Sequence, residues 1–167
     1  MTMNVIGASV SEAIYASHET RDIVLPNQTE HASQIAVDIG GSLAKVTYFT
    51  PSADRKGGRL HFKKFESGKV DEYIDYIVHL FENAQHYNNS SQQVLLPNVI
   101  VDKEDEMECL IIGLNFFITE IPYDVFTYNE VDTNPICFEE KSNNVYPYML
   151  VNIGSGVSIL RVDGPRS

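Results

Sequence analysis

The feature that most constrains this fold is a glycine turn set between two apolar strands, and it occurs twice. Ile35-Ala36-Val37 leads into Asp38-Ile39-Gly40-Gly41-Ser42, and Ala44-Lys45-Val46-Thr47-Tyr48-Phe49 returns. Far along the chain Tyr148-Met149-Leu150-Val151 leads into Asn152-Ile153-Gly154-Ser155-Gly156, and Val157-Ser158-Ile159-Leu160-Arg161-Val162 returns. Short apolar runs rich in β-branched and aromatic residues, bounded by Gly and Ser, read as strands, so each stretch reads as a hairpin. Placed side by side, Asp38 matches Asn152, Gly40 matches Gly154, Gly41 matches Ser155 and Ser42 matches Gly156. Glycine in such a turn permits positive φ and lets backbone N–H groups approach a ligand, giving a concave set of donors suited to phosphate oxygens. One copy is commonly a plain turn. Two copies facing each other across a cleft can hold a polyphosphate from both sides, which points to ATP. Asp38, at a strand end, is placed to accept a bond from water on Mg²⁺; the alternative is that it only caps its own turn.

The stretches between the hairpins supply the rest of one domain. Residues 1–33 have no sustained period beyond the short run Ile23-Val24-Leu25 closed by Pro26, and read as a loose tail. Arg59 to Phe65 alternates as a third, antiparallel strand. From Val70 to about Tyr87, the residues Tyr73, Ile74, Ile77, Leu80 and Phe81 fall at helical spacing, with Asp71 and Glu72 in the first turn where the helix dipole favours acids. Val94-Leu95-Leu96 and Val99-Ile100-Val101, split by Pro97-Asn98, read as short strands. Asp102 is the expected N-cap of a second helix carrying Met107, Leu110, Ile111, Leu114, Phe117 and Ile118. Its early acids read as dipole complement rather than catalytic groups. The residues from Pro122 to Asn144 show no period and read as irregular connection.

Composition removes several classes of function. The formal charge of −11 in 167 residues argues against phosphate-backbone recognition of nucleic acid, which needs clustered Lys and Arg. No apolar run approaches a membrane span, and the first thirty residues lack a secretory pattern, so the expected location is the cytoplasm, with the nucleus as a second compartment. Cys109 and Cys137 form no metal-ligand spacing and read as structural.

The twin hairpins resemble those of the superfamily of sugar kinases, actin and heat-shock chaperone ATPases. Within it, the chain resembles eukaryotic pantothenate kinase of type II, with a fungal character. The landmarks are Val37 to Lys45, Leu60-His61-Phe62, Asp105-Glu106-Met107-Glu108-Cys109-Leu110, and Tyr146-Pro147 leading to Val151-Asn152-Ile153-Gly154-Ser155-Gly156-Val157-Ser158-Ile159-Leu160, in the family's order from about Ile35 onward. The resemblance implies a mixed α/β fold of the ribonuclease H-like ATPase type, with a mixed sheet beginning in Gly-turn hairpins and helices packed on it. It divides the chain into a tail (1–33), an N-terminal nucleotide-binding lobe (34–145) and the first hairpin of a truncated second lobe (146–167). It implies ATP-dependent phosphorylation of pantothenate, the first step of coenzyme A biosynthesis. Gly40, Gly41, Ser42, Lys45, Gly154 and Gly156 would serve the ATP phosphates, Asp38 would serve Mg²⁺ through water, and Ser155 and Ser158 would contact pantothenate or an inhibiting acyl-CoA. Full-length members imply a homodimer.

The chain departs from that pattern in one informative place. The family carries an A-T-G-G-G-A turn followed by a catalytic glutamate between its first long helix and the D-E-M-E-C-L helix. Here the interval holds only Gln92-Gln93-Val94-Leu95-Leu96-Pro97-Asn98-Val99-Ile100-Val101, so no catalytic base is assigned. A weakly active or inactive form is therefore expected. The competing expectations are a non-catalytic chain that binds full-length kinase or acyl-CoA, and another ATPase of the superfamily such as a hexose kinase.

Overall fold

The computed structural model describes residues 3–10, 22–29, 35–54, 56–86, 100–140, 145–154 and 156–165. By contact the chain divides into two compact units, Met1–Val101 and Asp102–Ser167.

In the first unit, β1 (Ser9–Val10), β2 (Ile23–Leu25), β3 (Ile35–Ile39), β4 (Leu43–Pro51) and β5 (Gly58–Glu66) form one sheet in the order β1-β2-β5-β4-β3. The expected hairpin and third strand are present: β3 pairs with β4 from Ile35↔Tyr48 to Ile39↔Ala44, and β4 pairs with β5 from Leu43↔Glu66 to Pro51↔Gly58. Strand alternation then decides the core. Ala44 and Val46 of β4 and Phe65 of β5 turn inward, and α1 (Val70–His86) lays Tyr73, Tyr76, Ile77 and Leu80 over them. The acids Asp71 and Glu72 sit in the first turn of α1, as the dipole favours.

Residues 22–29 correct the expectation of a loose tail. Strand β2 pairs antiparallel with β5, and Ile23 and Leu25 are almost fully buried. Burying such side chains is worth about 1.5–3 kcal/mol each, enough for a strand of three residues to hold its place beside β5. Close backbone approach makes this possible. Gly57 takes φ of +84°, and a Cβ there would sit 2.5 Å from the Leu25 carbonyl oxygen; a Cβ on Gly58 would overlap the Phe49 ring and the Thr50 carbonyl. A polar staple crosses the same strands. His61 Nδ1 lies 2.9 Å from the Asp22 carboxylate, His61 Nε2 lies 2.7 Å from the Thr50 hydroxyl, and the imidazole stacks on Tyr48. Tyr76 then donates to the Tyr48 hydroxyl across 3.0 Å.

In the second unit, α2 (Glu106–Glu120) begins three residues later than Asp102 suggests. Its N-cap is Asp105, whose carboxylate accepts from the Glu108 N–H at 2.9 Å. The run Asp105-Glu106-Met107-Glu108 has capping-box spacing, and the first apolar residue of the helical period is Met107, so no packing draws 102–104 into the helix. The stretch expected to be irregular contains a small hairpin, β6 (Phe126–Tyr128) with β7 (Ile136–Phe138). Strands of three exposed residues are too short to show a period, and the turn between them is closed by Asn129 N–H to the Pro135 carbonyl at 2.8 Å.

The last hairpin, β8 (Tyr148–Ile153) with β9 (Val157–Val162), is as expected, running from Tyr148↔Val162 to Ile153↔Val157. The Tyr148 hydroxyl donates to Asn115 Oδ1 of α2 at 2.8 Å, and Val162 is fully buried. The opposite face carries Met149, Val151, Ile153, Val157 and Ile159, all exposed. The architecture among the described residues is thus α/β, with two helices and a multi-strand antiparallel sheet. Every pairing among the described residues is antiparallel, where the family resemblance implies a mixed sheet. Of the additional strands expected there, Val94–Leu96 and Val99 lie outside the described residues, and Ile100 and Val101 carry no strand.

Candidate functional site

The turn between β3 and β4 is built so that few of its polar groups serve the turn itself. Gly40 donates its N–H to the Leu43 carbonyl at 2.9 Å and accepts the Ser67 hydroxyl on its own carbonyl at 2.9 Å. The Ser42 carbonyl accepts the Ser67 N–H at 3.0 Å. Among the described residues, the N–H groups of Gly41 and Ser42 and the Ser42 hydroxyl have no protein partner. Of the donors expected to face phosphate, the Gly40 N–H is therefore withdrawn into the turn, and three remain.

The glycines also read differently from expectation. None of Gly40, Gly41, Gly154 and Gly156 has positive φ; among the described residues only Gly7 and Gly57 do, apart from the non-glycine Tyr123. A Cβ added at Gly41, Gly154 or Gly156 would meet nothing within 4 Å, and at Gly40 only the Leu43 carbonyl at 3.4 Å. Unlike Gly57 and Gly58, these positions need no glycine for the chain's own backbone or packing. What glycine supplies there is open access to the main chain from outside.

Asp38 and Lys45 are cross-strand partners on the same face, with Lys45 Nζ 2.8 Å from Asp38 Oδ2 and both side chains more than half exposed. Lys64 follows Lys45 in the next strand's register, so the row Asp38–Lys45–Lys64 runs across one face of the sheet just behind the turn. Asp38, Lys45 and the turn, all visible as a motif in the sequence, are brought together by the fold. Lys64 and Ser67 carry no such motif. Counting back along an antiparallel third strand from Lys45 would have found Lys64, whereas Ser67 falls in a turn with no periodic signal.

The second hairpin is not a copy of the first. Three residues, 154–156, separate the last paired residues Ile153 and Val157, whereas four separate Ile39 and Ala44. Its turn is closed by Gly154 N–H to the Gly156 carbonyl at 2.8 Å. Asn152 stands opposite Ser158 where Asp38 stands opposite Lys45, so this hairpin has no acid–lysine pair. Ser158 is half-buried, and Ser155 lies outside the described residues.

Among the described residues no group of three or more His, Cys, Asp or Glu side chains could hold a metal ion. Asp38 is a single carboxylate, so at this turn it would need ligands brought by a nucleotide to hold a metal, which is how Mg²⁺ commonly binds. No helix of the described residues is long and apolar enough to cross a membrane.

Comparison with known proteins bears on this geometry. The family described as Fumble matches residues 34–167, from the start of β3 through the last hairpin. The chain belongs to the Fumble family. The resemblance to pantothenate kinase holds across it. A fission-yeast (Schizosaccharomyces pombe) protein named pantothenate kinase is 39% identical over 98% of this chain and 47% of its own length. Arabidopsis thaliana pantothenate kinase 2 is 35% identical over 90% of the chain and 22% of its own length. A mouse protein named 4'-phosphopantetheine phosphatase is 32% identical over 80% of the chain and 21% of its own length. The chain thus spans less than half the length of these relatives. The fission-yeast alignment runs over 197 positions, more than the 167 residues of the chain, so that relative has internal residues with no counterpart here.

Proposed function

We propose that the turn between β3 and β4 is the phosphate-binding turn of an ATP site, in a family fold that phosphorylates pantothenate to 4'-phosphopantothenate. The observation that carries this reading is the Gly41–Ser42 segment, with two N–H groups and a hydroxyl that have no partner among the described residues, beside glycines that the chain's described packing does not require. Lys45 would exchange its bond to Asp38 for a phosphate oxygen, freeing the Asp38 carboxylate to hold Mg²⁺ through water. The bound Mg²⁺ would supply charge neutralisation of the phosphates. The main-chain donors would orient the terminal phosphate and strip water from it, since phosphoryl transfer depends on positioning and electrostatics.

The finer fold reading is a ribonuclease H-like ATPase lobe over 34–145, followed by the first hairpin of a second lobe, with the 1–33 segment outside the family core. The second hairpin would carry Gly154 and Gly156 toward phosphate, and Ser155 and Ser158 toward pantothenate or an acyl-CoA that inhibits the reaction. The proposed location is cytoplasm or nucleus, and full-length members are proposed to dimerise.

The chain by itself is proposed to be weakly active or inactive. The family's A-T-G-G-G-A turn and its glutamate have no match between α1 and α2, and the alignments with relatives leave internal residues unmatched. Loss of a general base lowers a rate by roughly 10²–10⁴-fold. Incubation with Mg-ATP and radiolabelled pantothenate is expected to give at most a trace of phosphorylated product. Turnover at about 1–100 per second, ordinary for kinases, would overturn the incomplete-site reading. A second reading, a non-catalytic chain that binds full-length kinase or acyl-CoA, is favoured by the exposed apolar face of β8 and β9. Co-purification with intact kinase tests it.

A further inference from the structure

We infer that Ser67 is the positioning residue of the phosphate turn, aiming the Gly41 N–H at the ligand. This rests on the reading of Gly40–Ser42 as the phosphate turn. Ser67 follows β5 directly, in the three-residue link to α1, and touches the turn twice. Its hydroxyl donates to the Gly40 carbonyl at 2.9 Å, and its N–H donates to the Ser42 carbonyl at 3.0 Å.

A planar trans peptide makes the consequence specific. The Gly40 carbonyl and the Gly41 N–H belong to one rigid unit and point in opposite directions. Anchoring the carbonyl toward Ser67 therefore turns the Gly41 N–H away from Ser67, at a residue where an added Cβ would meet nothing within 4 Å. The Gly40–Gly41 unit lies between two residues without side chains, so sterics alone do little to prevent it from rotating. Gly40 N–H to Leu43 fixes the preceding peptide, and the Ser67 N–H fixes the one after Ser42. The Ser67 hydroxyl is the only described side-chain contact on the peptide between Gly40 and Gly41. It preorganises a donor that would otherwise have to be ordered when ligand binds, which is how rigid sites gain affinity.

The test uses the whole chain, ¹⁵N-labelled, as wild type, Ser67→Ala and Ser67→Thr. Backbone relaxation without ligand reads the order parameter of the Gly41 N–H, with the Ala44 N–H in β4 as internal reference. Calorimetry then reads the Kd for Mg-ATP. The expected result in S67A is a Gly41 order parameter falling from about 0.85 toward 0.6 or below, with Ala44 unchanged. Its Kd should rise about 5–10-fold, as for loss of one hydrogen bond, and S67T should restore both. If S67A loses its fold, Ser67→Cys, whose thiol is a weak donor, carries the same expectation. An unchanged Gly41 order parameter in the hydroxyl-lacking variant overturns the inference, whatever the nucleotide does. A loosened Gly41 with unchanged Kd overturns the positioning role while leaving the phosphate reading intact. Absence of Mg-ATP binding in the wild type overturns the phosphate reading itself, and the ligand-free relaxation distinguishes that failure from the others.

Discussion

Replacing Gly41 by alanine separates what the chain needs from what a ligand needs. Gly41 has no positive φ, and an added Cβ would meet nothing within 4 Å. Under those conditions Gly→Ala stabilises by about 0.4–1 kcal/mol, because the unfolded chain loses freedom that folding would otherwise have to remove. For a chain of this size the corresponding rise in Tm is about 1–4 °C. The same methyl group would occupy the approach of a phosphate oxygen to the Gly41 and Ser42 N–H groups. Hydrogen bonds to charged groups are worth about 1.5–3 kcal/mol, so losing one weakens Mg-ATP binding roughly 10–150-fold. Thermal melts and calorimetry on one preparation read both quantities. Gly58→Ala is the internal contrast: its Cβ would overlap the Phe49 ring and the Thr50 carbonyl, and overpacking of that kind costs about 1–3 kcal/mol. A G41A variant that melts lower than wild type would refute the backbone reasoning, and one that binds Mg-ATP with unchanged Kd would refute the ligand reasoning.

Asp38→Asn should change stability by less than about 1 kcal/mol, since its pair with Lys45 is exposed. Its affinity for Mg-ATP should drop at least about tenfold while affinity for ATP in EDTA does not drop; an equal loss with and without metal would rule out a role toward Mg²⁺. His61→Ala removes the link to Asp22, the bond to Thr50 and the stack on Tyr48. A loss of about 2–3 kcal/mol in urea titrations is expected, and a change below about 0.5 kcal/mol would show that the staple does not hold β2. The Tyr76 hydroxyl is pushed well above its ordinary value of 10.0 by burial, with the Tyr48 hydroxyl and the Asp22 charge adding to the effect. The folded chain thus holds that proton more tightly than the unfolded one. The associated stability is fully present below about pH 10 and is lost as pH rises beyond it. Urea midpoints measured across that range should fall less steeply in Tyr76→Phe; parallel profiles would contradict this. Loss of solvent around the sulfur, with Glu104, Glu108 and Asp105 nearby, pushes the Cys109 thiol up. At pH 8 it should alkylate more slowly than free cysteine, and an equal or faster rate would count against that environment.

What could be read from the sequence follows from where the physics is local. The β3–β4 hairpin, β5, α1 and the final hairpin were legible because their apolar periods are long and their turns carry glycine. Strand β2 was not, because Ile23-Val24-Leu25 is too short to show a period and its place beside β5 depends on the close approach permitted by Gly57 and Gly58, more than thirty residues away. The start of α2 was misplaced because Asp102 and Asp105 are equally good caps, and only the Glu108 N–H selects between them. At the candidate site, Asp38, Lys45 and the glycines were visible as a motif. The withdrawal of the Gly40 N–H, the one-residue difference between the two hairpin loops and the grip of Ser67 depend on hydrogen bonds that no motif encodes.

The most direct test of the central claim is an NMR titration of the ¹⁵N-labelled chain with Mg-ATP, followed at the Gly41 and Ser42 amides. Binding at this turn should give saturable shifts centred on those two residues, with the Gly40 amide, already bonded to Leu43, moving less, and loss of the shifts in G41A. A folded chain whose Gly41 and Ser42 amides stay in place at millimolar Mg-ATP would contradict it.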